Sequence, residues 1–83
     1  MPFFMDIHYK IAGLTAEGIA EAHRRDLEVG PKHGAKFLEY WFNAETGRAY
    51  CLFEAPTAEA GEDAHREAHG LLADEITQVN AGR

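Results

Sequence analysis

Apolar and polar positions along this chain switch between two periods. Residues 3 to 11 alternate, with Phe3, Met5, Ile7, Tyr9 and Ile11 set against Phe4, Asp6, His8 and Lys10, and a period of two reads as a β-strand. Gly13 breaks the strand. From residue 16 to residue 30 the spacing lengthens to threes and fours, so that Ala16, Ile19, Ala20, His23 and Leu27 line one helical stripe. Thr15 stands where its hydroxyl can cap that helix. Two signals compete for its end. Gly30-Pro31 is a breaker pair, since proline inside a helix costs about 3 kcal/mol, and His33-Gly34 offers a left-handed stop; the reading is a kink or an early end near Gly30. Residues 36 to 43 are aromatic and extended, Glu45-Thr46-Gly47 makes a hairpin turn, and residues 48 to 55 form the return strand. Pro56 ends it and Thr57 caps a second helix that runs to His69, where Gly70 stops it. Ala60, Ala64, Ala68 and Leu72 mark that helix's apolar side. Glu75 to Val79 form a last short strand, and Asn80 to Arg83 a frayed tail.

The predicted order is β-α-β-β-α-β, a split βαβ arrangement. It implies an α+β, ferredoxin-like fold: a four-stranded antiparallel sheet with both helices on one face, spanning residues 1–83 as one domain. The middle strands are apolar on both faces, because Phe37 and Trp41 alternate with Leu38, Tyr40 and Phe42, and Ala49, Cys51 and Phe53 with Tyr50 and Leu52. A sheet with one wet face alternates more cleanly. The open face is therefore expected to be covered by a second copy of the chain, giving a homodimer and a dimeric α+β barrel. On the first strand the burial rule favours Met5, Ile7 and Tyr9 against the helices, which sends Asp6 and His8 to the other side. Phe4 shares the side of His8, so the pattern leaves the choice of face open.

Length and charge narrow the partners. A chain of 83 residues hides only roughly 60% of its unfolded surface. Cys51 is the sole cysteine, so no internal disulfide helps; scaffolds this small draw stability from a metal or from oligomerisation. The net charge of −6 comes from 14 acidic against 8 basic residues, and the basic ones are scattered. That argues against sequence-independent binding to nucleic acid or anionic lipid. The opening residues lack the features of a signal peptide, and no apolar run approaches the ~20 residues of a membrane span, so a cytoplasmic protein with no membrane partner is expected.

Histidine carries the candidate chemistry. His65 and His69 stand four apart on one helix, which places both rings within reach of one metal ion; the plainer alternative is a solvated helix end with His69 at the negative pole of the dipole. His23 lies mid-stripe and should face the sheet. Alone it reads as a hydrogen-bonded core residue, with Asp26 as an orienting partner or a second ligand. Asp6 and His8 share a strand face, as a ligand pair or an acid–base pair. Cys51 reads as a buried small hydrophobe, with a soft-metal thiolate as the alternative, and His33 as a helix-end residue. Taken together, His8, His23, His65, His69, Asp6 and Asp26 suggest a site for a divalent transition metal. Imidazole with carboxylate suits nickel, zinc, copper or non-haem iron. A runner-up reading is a small enzyme, metal-dependent or acid–base, with a pocket between sheet and helices lined by Tyr40, Trp41 and Phe42. A third is an interaction module whose histidines are structural.

Several segments in this order resemble a known family. They are Met5-Asp6-Ile7-His8, Gly13-Leu14-Thr15-Ala16-Glu17, Ala22-His23-Arg24-Arg25-Asp26-Leu27, Tyr40-Trp41-Phe42, Tyr50-Cys51-Leu52-Phe53-Glu54-Ala55-Pro56 and His65-Arg66-Glu67-Ala68-His69-Gly70. The chain resembles the small bacterial DUF4242 family over residues 3 to 79. The resemblance implies a ferredoxin-like fold, a dimer and binding of a divalent metal, nickel in particular, in storage, buffering or sensing; it implies no defined reaction. Gly30-Pro31 departs from the uninterrupted first helix of that pattern.

Overall fold

In a computed structural model of the chain, residues 1–82 are described. The elements run β1 (Phe3–His8), α1 (Ala16–Val29), a 3-10 turn (Gly30–His33), β2 (Lys36–Asn43), β3 (Arg48–Glu54), α2 (Ala58–Ala68) and β4 (Glu75–Val79). The strands form one antiparallel sheet in the order β2-β3-β1-β4, the ferredoxin-like arrangement of a small α+β fold. Both helices start as the sequence implies. The Thr15 hydroxyl accepts from the Gly18 N–H at 3.0 Å and the Thr57 hydroxyl from the Ala60 N–H at 3.2 Å.

The end of α1 uses both competing signals. The helix runs to Val29 and then tightens into the 3-10 turn, where Pro31 needs no N–H partner, and Gly34 closes it at φ 73°. Gly30 is buried, and a Cβ there would meet the Ala35 carbonyl. The glycine is thus required by close approach to the chain entering β2. At the other helix His69 is the C-cap, and Gly70, at φ 79°, donates its N–H to the His65 carbonyl.

Three expectations change. First, β1 stops at His8. Beyond it the Tyr9 N–H turns to the Asp74 carboxylate at 2.7 Å and the Ile11 N–H to the Gly47 carbonyl at 2.8 Å. Second, the less apolar set of β1 faces the helices. Phe4, Asp6 and His8 are buried, whereas Met5 and Ile7 are half-buried on the open face and Phe3 is exposed. Register explains this: Phe4 pairs with Phe53 and Asp6 with Cys51, and the Phe4 and Phe53 rings stack at 5.4 Å. Third, β2 does not alternate throughout. A bulge between Phe37 and Glu39 shifts the pairing, so that Phe37 opposes Phe53 while Tyr40 opposes Cys51. Phe37, Tyr40 and Phe42 therefore share the helix side, and Trp41, opposite Tyr50, falls on the open face.

The core beneath the helices is Phe4, Ala35, Phe37, Cys51, Phe53, Ala55 and Ala64. A Cβ at Gly61 would collide with the ring of Phe53, which is how closely α2 lies on the sheet. Leu27 and Leu72, expected to face inward, are exposed. The inner face of α1 is instead set by Ile19, Ala22, His23 and Asp26, a helical spacing rotated by one position from the apolar stripe. No helix among the described residues is long and apolar enough to cross a membrane.

Candidate metal centre

Asp26 is only 3% exposed, Asp6 0% and His65 2%, and a carboxylate is that deeply buried only at a cost that partners must offset. The partner here is one imidazole. From the inner face of α2, His65 Nε2 lies 2.5 Å from Asp6 Oδ2 on β1, and His65 Nδ1 lies 2.8 Å from Asp26 Oδ1 on α1. One ring thus ties both helices to the central strand. Burial works against charge on His65, but hydrogen bonds to Asp26 and Asp6 outweigh it and push its pKa up to about 12. Both ring nitrogens face carboxylate oxygens, an arrangement that favours the doubly protonated imidazolium. Burial alone would raise Asp26, yet the bonds from His65 and His69 hold its carboxyl below the usual range.

His69, at the C-cap of α2, brings Nε2 to 3.0 Å from the same Asp26 oxygen. Its Nδ1 accepts the Leu71 N–H at 3.0 Å. His8 closes the far side with Nε2 3.6 Å from Asp6 Oδ1, and its ring lies 6.2 Å from that of His65. His23 packs on Tyr40 at 4.7 Å between ring centroids. Burial lowers the pKa of both His8 and His23, keeping each neutral at pH 7 and so able to donate a lone pair. Between these groups lies a cavity of about 30 Å³ bordered by His8, His23, His65, His69, Asp26, Tyr40 and Cys51.

Two donor sets converge here, each with ligand atoms within 4.8 Å of one another: Asp26 with His65 and His69, and Asp6 with Cys51 and His65. Burial pushes the Cys51 thiol up to about 11, so without a cation it is protonated and inert. The fit to a metal ion rests on three observations. The cavity has room for about one water or ion. Two buried polar atoms at this cluster, Asp6 Oδ1 and His23 Nδ1, have no hydrogen-bond partner. The ligand atoms of Asp26, His65 and His69 lie within 4.8 Å of one another.

His8, His23, His65, His69 and Asp26 border one cavity, and Asp6 lies behind it, against the Nε2 of His65. His33 is elsewhere, paired at the surface with Glu67 at 3.0 Å. Sequence reasoning gave Tyr40 only as the lining of a substrate pocket and had no signal for its contact with His23, because the β2 bulge leaves no mark in composition. The Asp6–Cys51 pairing follows from register alone.

The sequence profile of a family described as "Nickel responsive protein SCO4226-like" matches residues 4–79, and the chain belongs to this family. The crystal structure of SCO4226 from Streptomyces coelicolor A3(2) superimposes with a TM-score of 0.89 at 37% sequence identity, covering 98% of this chain and 99% of that one. No curated protein matches the chain.

Proposed function

From membership of that family and from the donors of the cavity, we propose that the chain binds one divalent transition-metal ion, nickel in the first instance, for storage, buffering or sensing. The observation that carries this reading is the ion-sized cavity bordered by four histidines and a carboxylate, with one nitrogen of those histidines, His23 Nδ1, and the nearby Asp6 Oδ1 unpartnered. Asp26, His65 through Nδ1 and His69 through Nε2 are the primary ligands. His23 and His8 complete the shell. Asp6 holds the opposite nitrogen of His65, the carboxylate–histidine–metal relation that fixes ring orientation. The family's description as nickel-responsive supports nickel over zinc, which the donors would also suit. The DUF4242 resemblance of the motifs points the same way, and with it the reading of one cytoplasmic domain from a bacterial source.

Binding must displace a proton from His65. Because that pKa is raised, the proton competes throughout the neutral range and not only below the ordinary histidine pKa. Affinity for nickel should therefore fall as pH falls, by about tenfold per pH unit for each proton displaced. Calorimetry on tag-free protein with nickel and with zinc is the test. No binding tighter than about millimolar at neutral pH would overturn the metal reading.

The competing reading, an acid–base or metal-dependent enzyme, needs a substrate pocket beside the histidines. Organic ligands occupy about 300–1,000 Å³, and this cavity is about 30 Å³. A groove of about 430 Å³ lined by Phe3, Met5, Leu52 and Val79 lies on the opposite side of the sheet. We assign that face to a second copy of the chain. Phe3, Trp41 and Tyr9 are exposed, next to half-buried Met5, Ile7, Tyr50 and Leu52. The molecule's two long dimensions, 33 and 30 Å, are on the scale that the ~800 Å² a side of a specific interface requires. Sedimentation at micromolar concentration should give a two-chain mass, and Trp41→Glu should shift it to one chain. A clean monomer for the unsubstituted protein would sink the assignment.

A further inference from the structure

His69 is tied on both sides of its ring. Its Nδ1 accepts a hydrogen bond from the Leu71 N–H, so in the neutral ring the single proton sits on Nε2 and points to Asp26 Oδ1. An ion ligated by Nε2 takes the place of that proton. To remain a neutral imidazole, the ring must then carry its proton on Nδ1. Two N–H groups now face each other across a contact of 3.0 Å, and neither has an acceptor. The Leu71 amide must turn away.

The surrounding bonds say how far the disturbance goes. On one side, His69 and Gly70 both donate to the His65 carbonyl, at 3.0 and 2.9 Å. On the other, Asp74 donates to the Ile7 carbonyl at 2.9 Å and takes the Tyr9 N–H on its carboxylate. Between these anchors Leu71, Leu72 and Ala73 belong to no helix or strand. Leu71 borders the cavity, and Leu71 and Leu72 are each 42% exposed. The amide bond to His69 is the link from this segment to the ligand set.

Resting on the assignment of His69 as a ligand, we infer that ion binding at His69 Nε2 breaks the Leu71 N–H···Nδ1 bond and releases residues 71–73, which makes this loop the chain's metal-responsive segment. The occupied and empty states then differ in how Leu71 and Leu72 are presented, while the sheet and helices stay as they are. Neither a change of pH nor unfolding is needed.

Hydrogen exchange followed by NMR on the full chain tests this, with zinc as the diamagnetic ion and calorimetry on the same sample. Without metal, long-range nitrogen–proton correlations should place the His69 proton on Nε2; a proton on Nδ1 would overturn the inference whatever the ion does. With zinc bound, the Leu71 amide should exchange at least about fivefold faster, the loss of one ordinary hydrogen bond, while the α2 amides exchange no faster. In His69→Ala that amide should exchange fast with or without zinc. Zinc binding that leaves Leu71 as protected as before would overturn the coupling and leave the metal reading standing. No heat of binding would remove the metal reading and the coupling with it.

Discussion

Replacing His65 by alanine should cost the metal-free protein about 3–5 kcal/mol, the loss expected when one partner of a buried ionic group is removed. That is a large share of the about 5–15 kcal/mol that holds a small protein folded. The physical reason is the arrangement around the ring. Asp6 and Asp26, 0% and 3% exposed, would be left facing each other across the space vacated by an imidazolium. The penalty comes from stranded carboxylates more than from lost attraction. A variant that also replaces both carboxylates, with Asp6→Val and Asp26→Leu, should therefore recover much of the loss, since an apolar substitute for a buried ion pair is often neutral. Urea melts monitored by circular dichroism give the comparison. Arg66→Ala, which removes an exposed pair with Asp63, should barely move the midpoint. A His65→Ala protein as stable as the Arg66→Ala protein would show that the buried triad is not what joins the helices to β1.

The second large effect is on the ion. His69→Ala should weaken nickel binding by more than about 100-fold, beyond the range of changes to residues that only orient a ligand. His69 lies at the helix C-cap, outside the hydrophobic core cluster, and Asp26 keeps its bond to His65 without it, so the variant is expected to fold. His23→Ala should behave similarly, since its ring borders the same cavity from α1. His33→Ala is the control, because that ring pairs with Glu67 on the surface. Should His33→Ala weaken binding as much as His69→Ala in folded proteins, the placement of the ion is wrong. If instead only His8→Ala matters, the ion belongs with Asp6 and Cys51 at the other donor set.

The element order was legible because each change of period coincides with a cap or a breaker: Thr15, Gly34, Thr57 and Gly70 all sit where the helices begin or end. What the pattern could not settle was which side of β1 meets the helices. Counting methylenes favoured Met5, Ile7 and Tyr9, and the structure buries Phe4, Asp6 and His8 there. The burial rule failed at Asp6 because its partner is His65, fifty-nine residues away in sequence, and no local window contains that pairing. Asp26 was visible only as a partner of His23 on its own helix; its bonds run to His65 and His69 on the other helix, while Leu27 beside it, which the apolar stripe turns inward, is in solvent. The histidines that gather at the cavity were each visible as residues of a given helix or strand face, but their convergence depends on packing between elements.

The bulge in β2 has a reach beyond its own strand. One extra residue between Phe37 and Glu39 works as a half-step of phase. Ahead of it the strand keeps time with α2, laying Phe37 against Phe53 and the His65 ring. After it the strand keeps time with α1, laying Tyr40 against His23. An unbroken strand could satisfy one helix or the other with aromatic rings at these two positions, never both. The offset therefore lets a single strand furnish an aromatic wall to the hydrophobic centre at one end and to the rim of the cavity at the other.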